Sequence, residues 1–124
     1  MPWQYNQTSR LHFLELQKCS LYFDPNLNRT TTEDGWQPTD GISLSFGYTR
    51  GPWTVDERLE FDLRTGRYVV QTKAHRPTDN NIEFKTFKNP TPLKLQEHKD
   101  EILSAEGLPK ELKTLVQRVM GNLS

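Results

Sequence analysis

The chain has one cysteine, no net charge and no long apolar run, and each shortage removes a class of protein. A lone Cys19 cannot close an internal disulfide or build a multi-cysteine metal site. With Leu21 and Phe23 close by, it reads as a buried, inert thiol rather than a nucleophile. Sixteen Lys and Arg balance sixteen Asp and Glu. The bulk positive charge of a general nucleic-acid binder is therefore missing, and only a local basic patch could serve such a role. No stretch approaches the roughly 18 apolar residues of a membrane span. The segment Met1-Pro2-Trp3-Gln4-Tyr5-Asn6 has neither the basic start nor the apolar run of a secretory signal, so the expected location is cytoplasmic. On that expectation Asn6-Gln7-Thr8 and Asn28-Arg29-Thr30 are chance matches to the glycosylation pattern.

Apolar residues are also scarce: 33% of the chain is hydrophobic and the mean hydropathy is −0.81. Leu, Ile, Val and Phe nevertheless make up 29 of the 124 residues, above the roughly 20% below which disorder is favoured. Thirteen aromatics, three of them Trp, add large buried areas. One folded domain spanning residues 1–124 is the expectation, with a lean core.

Its organisation is read from periodicity. Ile42, Leu44, Phe46 and Tyr48 alternate with polar or small residues, the period-two signature of a half-buried strand. Gly51-Pro52 breaks that run. Leu59, Phe61 and Leu63 alternate with charged residues, and Arg64-Thr65-Gly66 leads into a strand from Arg67 to Ala74, with Gly66 placed for a left-handed residue. Ile82 to Phe87 reads as a further strand after the turn Pro77-Thr78-Asp79-Asn80-Asn81. Earlier, Leu11 to Leu16 and Leu21 to Phe23 form either a hairpin or one bent strand. Asp24-Pro25-Asn26 reads as a turn opening a long polar loop over Asn26–Asp40.

After Asn89-Pro90-Thr91-Pro92 two helices are expected, at about 92–106 and 109–120, with Thr91 as cap and Pro92 in the first position. The stripe Leu95, Ile102 and Leu103 is thin, which suggests a surface helix. Leu112, Leu115, Val116 and Val119 make a convincing apolar face. Strands first (about 8–88) and helices last give an α+β class: a mostly antiparallel β-meander of about five or six strands, then two C-terminal helices.

The sequence carries no glycine-rich phosphate loop, no Gly-x-Ser-x-Gly elbow and no paired-histidine metal motif, so no cofactor or metal is implied. Three histidines, His12, His75 and His98, lie far apart. The acidic group Asp56, Glu57, Glu60 and Asp62 could supply two catalytic carboxylates. Charge pairing with Arg58, Arg64 and Lys73 across a solvated hairpin face is the simpler account.

Candidate binding residues are Trp3, Tyr5, Trp36, Arg50, Trp53, His75 and Arg76. Arg50, Trp53, His75 and Arg76 can meet at one sheet edge, where cations and an indole would suit a nucleotide, a short single strand or an acidic partner. Trp3 and Tyr5 dock either on the chain's own sheet or on a partner, and a homo-oligomer could form through this segment or through the Leu112–Val119 helix. The leading functional expectation is a non-enzymatic protein-binding domain of inhibitor, adaptor or accessory-subunit type. It would act through the long loop, exposed aromatics and a sheet edge. Nucleotide or single-strand binding, and an enzyme using the acidic strand face, are the alternatives.

Overall fold

Alternation decides the architecture. Alternate side chains of the central strands face the two helices, and strands that follow one another in the chain pair with one another. The computed structural model describes residues 2–27, 41–88 and 93–121. Seven strands run in chain order across one antiparallel sheet: β1 (Gln4–Asn6), β2 (Leu11–Leu16), β3 (Cys19–Leu27), β4 (Gly41–Arg50), β5 (Trp53–Asp62), β6 (Tyr68–Pro77) and β7 (Ile82–Lys88). Helices α1 (Leu93–Ser104) and α2 (Lys110–Gly121) follow. The expected α+β class is present, with seven strands among the described residues rather than five or six.

The extra strand is β1, whose three residues are all exposed and carry no apolar period. Residues 11–27 form a hairpin closed at Gln17-Lys18, with Leu16 opposite Cys19 and Lys18 at φ 61°. Asp24-Pro25-Asn26 does not end the strand. The register slips by one residue between Asp24 and Leu27, and the Asp24 carboxylate accepts the Asn26 N–H at 2.9 Å. Turn chemistry here makes a β-bulge, the one place inside a sheet that tolerates proline. The rest of the expected loop, with Trp36, lies outside the described residues, as do Thr91 and Pro92.

Gly51 (φ 60°) and Pro52 close β4 to β5, the pairing of left-handed and right-handed residues that a two-residue II′ turn requires. Gly66 takes φ 77°, as its place in the sequence suggests.

The register stacks the helix-facing side chains in rows across the sheet. Ile42, Phe61 and Tyr68 form one row, and Leu44, Leu59 and Val70 the next. Phe46, Glu57, Thr72 and Phe87 follow, then Tyr48, Val55, Ala74 and Lys85. Arg50 and Trp53 stand at the end. The first two rows lie under the helices with Leu112, Leu115, Val116 and Val119, all buried. That helix face is therefore spent on the core. α1 is not a loose surface helix either: Leu95 and Ile102 are fully buried. Its apolar stripe is thin, and two polar contacts help to dock it, from Trp3 and from Glu57.

Candidate functional site

Two surfaces collect the side chains that could meet a partner or ligand. The first is the outer edge of the sheet. Six large apolar side chains are exposed among the described residues, and four of them sit on or next to β7: Ile82, Phe84, Phe87 and Leu93. Phe84 is 74% exposed. Across the ladder, His75 is exposed beside it, with ring centroids 6.2 Å apart.

β7 is also an open edge: among the described residues its only strand neighbour is β6. The Thr78 N–H donates to the Asn81 carbonyl at 2.8 Å, making these two the closing bonded pair of the turn. Antiparallel bonding then alternates, so Ile82, Phe84 and Thr86 turn their N–H and C=O groups away from β6. The Ile82 N–H is taken by the Asn81 side chain at 2.8 Å. Phe84 and Thr86 are left to present theirs at the free edge. At the opposite edge β1 is only three residues long, and the Tyr5 ring lies 4.8 Å from His12 on the same sheet.

The second surface lies where the helices stop covering the sheet. Tyr48, Val55, Ala74, Phe87 and Leu93 wall a cavity of about 360 Å³, with Arg50, Trp53 and Lys85 at its sides. The indole of Trp53 is already engaged by two cations, the Arg76 guanidinium and the Lys85 ammonium, each 4.8 Å from the ring centroid. Arg76 is in turn held by Glu83, with Nε to Oε2 at 2.7 Å. Neither Arg50 nor Lys85 has a carboxylate partner among the described residues.

Glu57 lines this cavity from the centre of the sheet and is 3% exposed. Its Oε1 accepts the Lys94 N–H at 3.1 Å, which caps the first turn of α1 from another element. Burial pushes the carboxyl above the usual Glu range, and the Lys94 N–H bond only partly opposes it. Lys94 lies with its ammonium 4.4 Å from the Tyr48 ring and 3.0 Å from Glu97.

The sequence-derived site residues therefore separate. Arg50 and Trp53 border the cavity, whereas His75 belongs to the opposite face with Phe84. Arg76 is paired with Glu83 and stacked on Trp53. Trp3 is buried: its N–H donates to the Glu106 carbonyl at 2.6 Å and its indole N–H points to the Ile102 carbonyl at 3.4 Å. It is packed into the core at 8% exposure, docked on the chain's own helices.

The acidic group also divides. Glu60 lies 2.9 Å from Arg58 Nε as an ion pair, although the angle does not make a hydrogen bond. Asp62 accepts the Arg64 N–H in the turn. Asp56, Glu60 and Asp62 share one face of β5, where Glu60 and Asp62 are buried rather than solvated, and Glu57 stands on the other. Burial pushes the Cys19 thiol up to about 11, which leaves almost no thiolate at neutral pH. Among the described residues no three His, Cys, Asp or Glu side chains gather as metal ligands, and no helix is long and apolar enough to cross a membrane.

Ile82, Phe84, Phe87 and Lys85 are the site residues that sequence reasoning passed over, and Glu57 it read only as one of an acidic group. A signal for each was available. The last strand of a meander is an edge by construction, and Glu57 shares its parity with Val55, Leu59 and Phe61 rather than with Glu60 and Asp62. Compared with known proteins, the chain matches no family model, and no curated protein or solved structure is significantly similar to it.

Proposed function

We propose that this domain is a non-enzymatic protein-binding module that takes an extended segment of its partner as an eighth strand along β7. The observation that carries the reading is the coincidence of an open strand edge with Ile82, Phe84, Phe87 and Leu93, all exposed. Main-chain bonds to the free groups of Phe84 and Thr86 would give affinity. Alternating apolar side chains of the partner would meet Ile82, Phe84 and His75 on one face and Phe87 and Leu93 on the other.

Soluble proteins usually blunt such an edge with charge, proline or a bulge. Here one donor is capped by Asn81, and of the three charged residues of β7 Glu83 is paired with Arg76 and Lys85 is turned toward Trp53. The middle of the strand keeps a bare phenylalanine. A patch of this kind marks an interaction surface more often than an idle one. An inhibitor, adaptor or accessory subunit would all use it in the same way.

Thr86→Pro tests the mode of binding without attacking the fold. Its N–H faces the free edge, so proline removes no ladder bond to β6. Random peptides of about ten residues, long enough for one strand, are selected against the immobilised domain. The expected winners alternate apolar and polar residues and lose at least tenfold in affinity for Thr86→Pro, while the melting temperature of the variant stays near that of the parent. Selected peptides that bind both proteins equally, or no enrichment at all, would overturn strand addition.

A further inference from the structure

We infer that the cavity between the α1 start and the β4–β5 hairpin is a separate binding site for a small amphipathic anion, an apolar body bearing one carboxylate-like head. Its volume of about 360 Å³ lies in the range of roughly 300–1,000 Å³ typical of small-molecule sites. The walls sort by chemistry. Val55, Ala74, Phe87 and Leu93 offer apolar surface to the body of such a ligand. Arg50 and Lys85 border the same space, and neither is neutralised by a carboxylate among the described residues. They are opposed by one acid, Glu57, whose carboxylate is already committed to the Lys94 N–H.

The balance of free charge at the cavity thus favours an anion, and a guanidinium suits a carboxylate through paired hydrogen bonds. The same geometry disfavours a nucleotide. A base would need a free aromatic face on which to stack, yet the Trp53 ring is engaged by Arg76 and Lys85 together. A triphosphate or a phosphodiester chain would also bring several charges toward Glu57. An apolar body is a better neighbour for that side chain, which is buried at 3% exposure.

The site shares Phe87 and Leu93 with the proposed peptide surface but not the open backbone edge: the ligand approaches the sheet face beside the start of α1, and the free N–H groups of Phe84 and Thr86 play no part. Octanoate and 1-octanol share a chain and differ in the head, so they make a matched pair of probes. Each is titrated into the full isotope-labelled chain and followed by backbone amide shifts. Octanoate is expected to bind saturably below about 5 mM, with shifts centred on Tyr48, Val55, Ala74 and Leu93, and at least tenfold more tightly than 1-octanol. The double change Arg50→Ala and Lys85→Ala is expected to abolish that tenfold preference and leave 1-octanol binding in place. Equal binding of the two probes to the parent, no saturable shift at the cavity, or shifts confined to Ile82 and Phe84 would each overturn the assignment. So would a preference for octanoate that survives the double change.

Discussion

Trp3→Ala is expected to lower the stability of the domain by about 3–5 kcal/mol, the usual cost of removing a large buried aromatic. With a total stability of about 5–15 kcal/mol for a natural domain, that loss would leave the protein near its threshold. The size of the effect follows from position. Trp3 precedes β1, yet its ring is packed into the core and its backbone N–H holds the Glu106 carbonyl past the end of α1. Gly107 (φ 78°) lets the chain turn directly beneath it, and a Cβ there would meet the Trp3 carbonyl oxygen at 3.5 Å. One side chain therefore ties the first residues of the chain to the connection between α1 and α2. Urea unfolding measures the loss. A change below 1 kcal/mol, which is what a surface tryptophan kept for a partner would give, would contradict this placement.

Glu57 is expected to show the second large effect, and it separates a structural cap from a mere buried charge. Glu57→Gln keeps an acceptor for the Lys94 N–H and removes the charge. Glu57→Ala removes both, and is expected to be about 1–2 kcal/mol less stable than Glu57→Gln, the cost of a lost helix cap. The comparison with the parent depends on pH. Burial raises the folded-state pKa of Glu57, so the native protein binds this proton more tightly than the unfolded chain does. The stability linked to the group is fully present below the ordinary Glu range and is lost as pH rises through the folded pKa. Glu57→Gln should accordingly be more stable than the parent at pH 7, with the gap closing below about pH 4. Equal stability of the Gln and Ala variants would show that the carboxylate does not cap α1. A gap that widened on acidification would reverse the sign of the burial effect.

Much of this architecture could be read from alternation, which runs through Ile42 to Tyr48 on β4 and Leu59 to Phe61 on β5. Where that alternation fails, the reading failed with it. Gln4-Tyr5-Asn6 pairs with β2 through backbone groups while all three residues stay exposed, so no side-chain pattern announces β1. Asp24-Pro25-Asn26 carries the residues of a turn and spends them on a bulge, a choice made by the neighbouring strand rather than by the local sequence. α1 looked weakly attached because its apolar stripe is short, and the two contacts that help to hold it come from residues 3 and 57.

The binding surfaces were less legible for a related reason. Arg50, Trp53, His75 and Arg76 are close in the meander, but His75 pairs with Thr54 rather than with Trp53, and one step of register sends its ring to the opposite face. Lys85 and Phe87 reach the cavity, and Ile82 and Phe84 the outer face, by the same alternation. Parity along β7 thus assigns one strand to two surfaces. That assignment needs the strand order, which no single strand reveals.

The most direct measurement is amide hydrogen exchange along β7, with and without a selected strand-forming peptide. The Phe84 and Thr86 amides are expected to exchange quickly in the free protein, while Lys85 and Phe87, bonded to β6, are protected. Adding the peptide should slow Phe84 and Thr86 and leave the inward-facing pair as it was. Protection of Phe84 and Thr86 in the free monomer, or exchange at these two positions that a bound peptide leaves unchanged, would contradict an open edge that binds by adding a strand.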